Sequence, residues 1–139
     1  SALHKHLYMD VHNERVSIQS YFQEVINLYQ EIAGDKINIK HDIFPVKIKS
    51  ERLVYFGLIL NELLANSIEH NQDIKRTVNI FIAKTESKYY LEYFDNSTFN
   101  TSDSKGVGSG LINQLIKRVG GTDYEFTPLI GKYKFCFDE

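Results

Sequence analysis

The chain has 139 residues, is 42% apolar and 13% aromatic, and carries a formal net charge of -2. That length suits one compact domain around a single core, and the apolar content excludes a disordered chain. The near-neutral balance lacks the basic footprint of a nucleic-acid or anionic-membrane binder, so no nucleic-acid partner is expected. A single cysteine, Cys136, has no partner for an internal disulfide and sits in an apolar alternating run, as a buried structural thiol does in a reducing, cytoplasmic setting. No apolar run reaches the roughly twenty residues that cross a bilayer as a helix.

Residues 2–9, ALHKHLYM, resemble the last turns of a longer helix entered mid-pattern, closed by the polar DVHNER. Ser17 is a candidate N-cap for a helix in which Ile18, Phe22, Val25, Ile26 and Tyr29 recur at helical spacing as far as Ala33, with Gly34 as its stop. INIKHDI alternates Ile37 and Ile39 and, after a phase break, Ile43, which predicts a strand. VKIK after Pro45 predicts a second strand or an edge extension. Ser50 offers the next N-cap, ahead of a long helix from Glu51 to Asn71. TVNIFIAK and YYLEYFD follow as strands, with Val78, Ile80 and Ile82, then Tyr89, Leu91 and Tyr93, alternating along them. NSTFNTSDSKGVGSG is turn and loop chemistry throughout. LINQLIKRV is a helix closed by Gly120-Gly121, and TDYEFTP and KYKFCF form a hairpin around Ile130-Gly131. This order fits a two-layer α/β sandwich, with helices on one face of a mixed, mostly antiparallel sheet.

The long helix carries the first sign of chemistry. Leu53, Phe56, Leu60, Leu63, Leu64 and Ser67 share one side, and Val54, Ile59 and Ile68 widen the apolar arc. Glu62, Asn66 and His70 fall at steps of four in a stripe turned away from that arc. A solvated face also explains such a stripe. Against it, Asn is a poor mid-helix residue, and no Lys or Arg lies between Leu53 and Ile68 to make a cheap wet face. A carboxylate and an amide oxygen one turn apart can instead hold a hydrated Mg²⁺, a hard ion that prefers oxygen and shares its shell with phosphate.

Two further features lie downstream. In GVGSGLINQLIKRVGG, Gly106, Gly108 and Gly110 lead straight into a helix whose first amides, beginning at Leu111, point outward with a partial positive field. A flexible connector is the plain alternative. The pattern is not a P-loop, which needs a Lys-Ser/Thr pair, nor a dinucleotide fingerprint, which needs a strand directly before it. Asp95 ends the strand YYLEYFD, where a carboxylate can accept from an exocyclic amine such as that of adenine; a turn-opening Asp-Asn is the alternative.

Taken in this order, a helix with Glu-x-x-x-Asn, a strand ending in Asp and a glycine loop entering a helix resemble the GHKL nucleotide-binding fold. FGLILNELL and GLINQLIKRVGG are most similar to the catalytic domain of bacterial sensor histidine kinases, and HKHLY resembles the His-x-x-Leu-Tyr that follows the phosphoacceptor helices in one subfamily. The resemblance covers nearly the whole chain. It implies an ATP-binding catalytic domain over residues 16–139, preceded in 1–15 by the end of a truncated dimerisation and phosphoacceptor region. It implies ATP and Mg²⁺ as cofactors, with Asn66 as the metal ligand and Glu62 as the acid/base or water-positioning carboxylate. By the same resemblance His70 flanks the nucleotide, Asp95 accepts from the adenine amine, and Gly106, Gly108, Gly110 and Leu111 belong to the lid near the phosphates. The implied partners are a dimerisation and phosphoacceptor domain of the same protein and a response-regulator receiver domain, with the isolated chain monomeric. The implied location is the cytoplasm, or the cytoplasmic part of a membrane-bound sensor. His4 and His6 do not match the phosphoacceptor, which lies upstream in the family.

The chain also departs from the family. The box Asp-x-Gly-x-Gly stands here as DNSTF, with Ser97 and Phe99 for the two glycines, and Glu69 stands where a Lys is frequent. Lys75, Arg76 and Lys105 are the cations available to compensate. These departures support a second reading, a degenerate module of the same fold that binds nucleotide weakly or not at all and acts as a signalling scaffold. A serine kinase acting as an anti-sigma factor shares the fold too, but HKHLY implies attached dimerisation helices and argues against it.

Overall fold

The structure, a computed structural model, describes residues 15–69, 75–95 and 109–139. The helical remnant at 2–9, the loop 96–108 with Ser97, Phe99, Lys105, Gly106 and Gly108, and His70 lie outside the described residues. In chain order the elements are β1 (Arg15–Ser17), α1 (Ile18–Ala33), β2 (Ile37–Ile43), β3 (Lys47–Lys49), α2 (Ser50–Glu69), β4 (Arg76–Lys84), β5 (Tyr89–Asp95), α3 (Ser109–Arg118), β6 (Thr122–Thr127), a 3-10 turn (Pro128–Ile130) and β7 (Lys132–Phe137). A five-stranded sheet has the order β2-β4-β5-β7-β6, and β1 pairs with β3 in a separate two-stranded sheet. β2 and β4 are parallel, as they must be with α2 crossing between them, and every other pair is antiparallel. The two-layer α/β architecture expected from the sequence is the one the chain builds.

Each helix starts and stops for a local reason. Ser17 Oγ accepts from the Ser20 amide at 3.1 Å, so the residue that ends β1 also caps α1. At the other end, Gln30 Nε2 donates to the carbonyls of Gly34 (3.1 Å) and Ile37 (2.6 Å), and its Oε1 accepts from the Ile39 amide at 2.9 Å. One side chain thus ties the end of α1 to the start of β2. Helix α2 begins at Ser50 itself rather than one residue later.

The core lies between the helices and one face of the sheet. Val78, Ile80 and Ile82 of β4, Leu91 and Tyr93 of β5, and Phe135 and Phe137 of β7 are all buried there against Leu53, Phe56, Leu60 and Leu64 of α2. Burying a side chain of this size contributes about 1.5–3 kcal/mol relative to leaving it in water. The opposite face is amphipathic: Lys134 Nζ lies 4.6 Å from the Tyr90 ring centroid, and Lys132 Nζ lies 3.8 Å from Glu92 Oε2. Cys136, expected as a buried thiol, is only partly buried, because its register opposite Tyr90 puts it on this outer face.

The terminal hairpin turns through Gly131, whose φ of 58° and ψ of 42° are the left-handed values glycine accepts without strain. Between Thr122 and Glu125 the β6–β7 register shifts, with Asp123 at φ 55°. Among the described residues no helix is long and apolar enough to cross a membrane.

Candidate functional site

Aromatic contacts and one hydroxyl fix how α2 lies on the sheet. In its first half, Phe56 meets Phe137 edge-on at 4.9 Å between ring centroids and stacks on Phe135 at 6.2 Å. Further along, the Tyr93 hydroxyl donates to the Leu63 carbonyl at 3.1 Å and lies 2.5 Å from Ser67 Oγ. Phe137 is opposite Tyr89 and Phe135 opposite Leu91, so α2 runs alongside β5 in the same direction. Its last turns therefore arrive where β5 ends. Asp95, two residues beyond Tyr93, faces the same side of the sheet and is 1% exposed.

Helix α3 closes the other flank. Tyr55, Ile59, Glu62 and Asn66 follow one edge of α2 at helical spacing. The Arg118 guanidinium covers the Tyr55 ring at 5.8 Å, and Arg52 Nη2 donates to the Val119 carbonyl at 2.6 Å. The C-terminal end of α3 thus packs on the first half of α2. Gly110 and Leu111, in the first turn of α3, are exposed, and a Cβ added at Gly110 would meet nothing within 4 Å. Gly110 is not among the positive-φ glycines.

Glu62 and Asn66 are half-buried. Burial and then the Glu62 charge raise the Tyr29 pKa, and the Tyr29 hydroxyl donates to Asn61 Oδ1 at 2.9 Å. Burial raises Tyr133 far more, with added contributions from Tyr124, Asp95 and Glu62. Tyr93 is likewise raised by burial, against the lowering effect of the Ser67 bond and with the Asp95 charge adding to the rise. The two carboxylates, Glu62 and Asp95, therefore flank one group of buried phenols. Among the described residues no three carboxylate, imidazole or thiol side chains gather into a metal cage.

Glu62, Asn66 and Asp95 lie toward one end of the sheet, and Gly110 and Leu111 stand in the first turn of α3; His70, Gly106 and Gly108 lie outside the described residues. The structure also places a residue that the sequence pattern left as one of three spare cations. Arg76, the first residue of β4, lies with Nη1 3.9 Å from Asp95 Oδ1, its side chain 17% exposed against 2% for Asp95. The signal was available: Arg76 has the same parity as Val78, Ile80 and Ile82, so its side chain joins the helix-facing side. Ser67 had been assigned to the packed arc, but its bond to Tyr93 has no sequence signature.

The fold has counterparts among solved structures. The Erythrobacter litoralis EL346 blue-light activated histidine kinase superposes with a TM-score of 0.79 at 14% identity, over 98% of this chain and 45% of that one. The mycobacterial sensor histidine kinase MprB gives 0.68 at 14% identity, over 89% and 95%. The catalytic domain of histidine kinase ThkA gives 0.67 at 16% identity, over 89% and 94%. The fold is that of histidine kinase catalytic domains. No protein-family model and no curated protein matches the sequence. The chain spans less than half of the Erythrobacter protein, and at these identities the likeness concerns the backbone. What the chain does with the kinase fold rests on its own side chains.

Proposed function

We propose that the chain is the ATP-binding catalytic domain of a sensor histidine kinase working in the cytoplasm. It transfers the γ-phosphate of ATP to a histidine on an adjoining dimerisation domain, for onward transfer to the receiver domain of a response regulator. One observation supports this reading: the buried Asp95 stands at the end of β5, where the last turns of α2, with the Glu62–Asn66 stripe, arrive.

The donor set suits the ligand. An exocyclic amine needs an acceptor, and Asp95 offers a carboxylate shielded from water. Phosphates need N–H donors, and the first amides of α3 have no partners within their own helix. Mg²⁺ that arrives on phosphates keeps several waters and needs only one or two protein oxygens, which Asn66 Oδ1 supplies. Asn66 would hold the ion there, and the chemistry it would supply is to offset negative charge on the phosphates. Asp95 orients the base, the α3 amides hold the phosphates, and Leu111 and His70 flank the nucleotide. Glu62 takes or positions the proton of the incoming imidazole. Phosphoryl transfer asks little else of a protein than position and charge.

The second reading, a scaffold that kept the fold and lost the nucleotide, draws on the DNSTF sequence at 95–99. Calorimetric titration of the chain with a non-hydrolysable ATP analogue, with and without Mg²⁺, separates the two. Saturable binding that depends on Mg²⁺ is the expected result. No heat up to millimolar analogue leaves the scaffold as the surviving reading.

A further inference from the structure

We propose that Arg76 is a second reader of the base, placed beside Asp95 so that the two side chains together recognise the amino–imino edge of adenine. The inference rests on the nucleotide-binding reading above and adds to it a specificity-determining residue.

Both groups sit at the same end of the sheet, on the helix-facing side, and both are largely out of water. At 3.9 Å the Arg76 Nη1 to Asp95 Oδ1 separation is an ion pair but too long for a hydrogen bond. Arg76 Nη1 is moreover buried and makes no hydrogen bond. A buried charged donor without an acceptor is rare, because it forfeits its water without replacement. It marks a point where an incoming acceptor is favoured.

An acceptor carboxylate beside a donor guanidinium is complementary to a ligand with a donor beside an acceptor. Adenine offers that pair: the exocyclic amine donates to Asp95, and the adjacent ring N1 accepts from Arg76. Guanine in the same pose presents its O6 to the carboxylate and its N1–H to the guanidinium. Both contacts then become repulsive. A site with Asp95 alone would reject guanine through one mismatch, whereas the pair does so through two. Arg76 also keeps a charge next to Asp95, so the carboxylate is not left as an isolated buried anion.

The test titrates the 139-residue chain, in Mg²⁺, with a non-hydrolysable ATP analogue, its 1-deaza counterpart lacking the ring N1, and its 6-deamino counterpart lacking the amine. The expected result is that both altered analogues bind about tenfold more weakly, the scale of one charge-assisted hydrogen bond. In Arg76→Met the parent analogue should fall to the level of the 1-deaza compound, which should lose nothing further. Circular dichroism checks that the variant folds, and the comparison of analogues on the unaltered chain stands without it. A 1-deaza analogue that binds as well as the parent, while the deamino analogue is weak, overturns the role of Arg76 and leaves the nucleotide reading intact. Failure of every analogue to bind overturns both.

Discussion

The Tyr93 hydroxyl bonds twice to α2, at the Leu63 carbonyl and at Ser67 Oγ, so the turn carrying Asn66 is held at a fixed height against the end of β5. Asn66→Ala removes the amide oxygen, so in a variant that circular dichroism shows to be folded the Mg²⁺-dependent nucleotide affinity should fall by about tenfold or more. Calorimetry checks this, and unchanged affinity in the folded variant would remove Asn66 from the site. At this scale the sequence was informative where residue type conflicted with surroundings, as with an Asn inside an apolar helix or an Asp at the end of an aromatic strand. For Arg76 it offered parity alone, which puts the side chain on the helix-facing side; a cation near a strand start is ordinary until the sheet register places it beside a buried carboxylate.

Helices α1 and α2 approach closely at one point. A Cβ built on Gly57 would lie 2.8 Å from Tyr21 Cε2 and 3.0 Å from Cζ, and Tyr21 is itself buried, at 2% exposed. Gly57→Ala should gain about 1 kcal/mol of helix propensity and lose about 1–3 kcal/mol to overpacking. The net effect is a lower melting temperature by thermal denaturation; an unchanged or raised one would show that Tyr21 moves aside at no cost. The elements themselves were legible because their periods are clean: Ile18 to Ala33 repeats at helical spacing, and Val78, Ile80 and Ile82 alternate. β1 was not, since three residues are too few to show a period, and Val16 is buried only because β3 pairs with it. Nor does an alternating pattern say which neighbour a strand takes. The parallel β2–β4 pair follows from where α2 crosses, which is a property of the chain path.

The core of the whole molecule contains phenols that resist ionisation. Burial pushes Tyr124 up to about 12 and raises Tyr93 and Tyr133 well above the ordinary value of 10.0. In the unfolded chain these groups lose their protons near the ordinary value, while the folded chain keeps them. Above that pH the unfolded state binds fewer protons, so stability is complete below it and is lost as pH rises toward the folded values. Thermal melts should therefore fall steadily above about pH 10, and phenolate absorbance should appear in an early and a late phase, the late one coinciding with unfolding. A single early phase with all tyrosines ionised in folded protein would contradict the burial. Among the described residues, the five-stranded sheet ends at β2 on one side and β6 on the other. On β6 the register slips between Thr122 and Glu125, with Asp123 turned into the left-handed region. An incoming strand would find no continuous ladder there and would meet a carboxylate in the gap. The bulge thus guards a hydrophobic, aromatic-rich sheet against adding a foreign strand and growing into an aggregate.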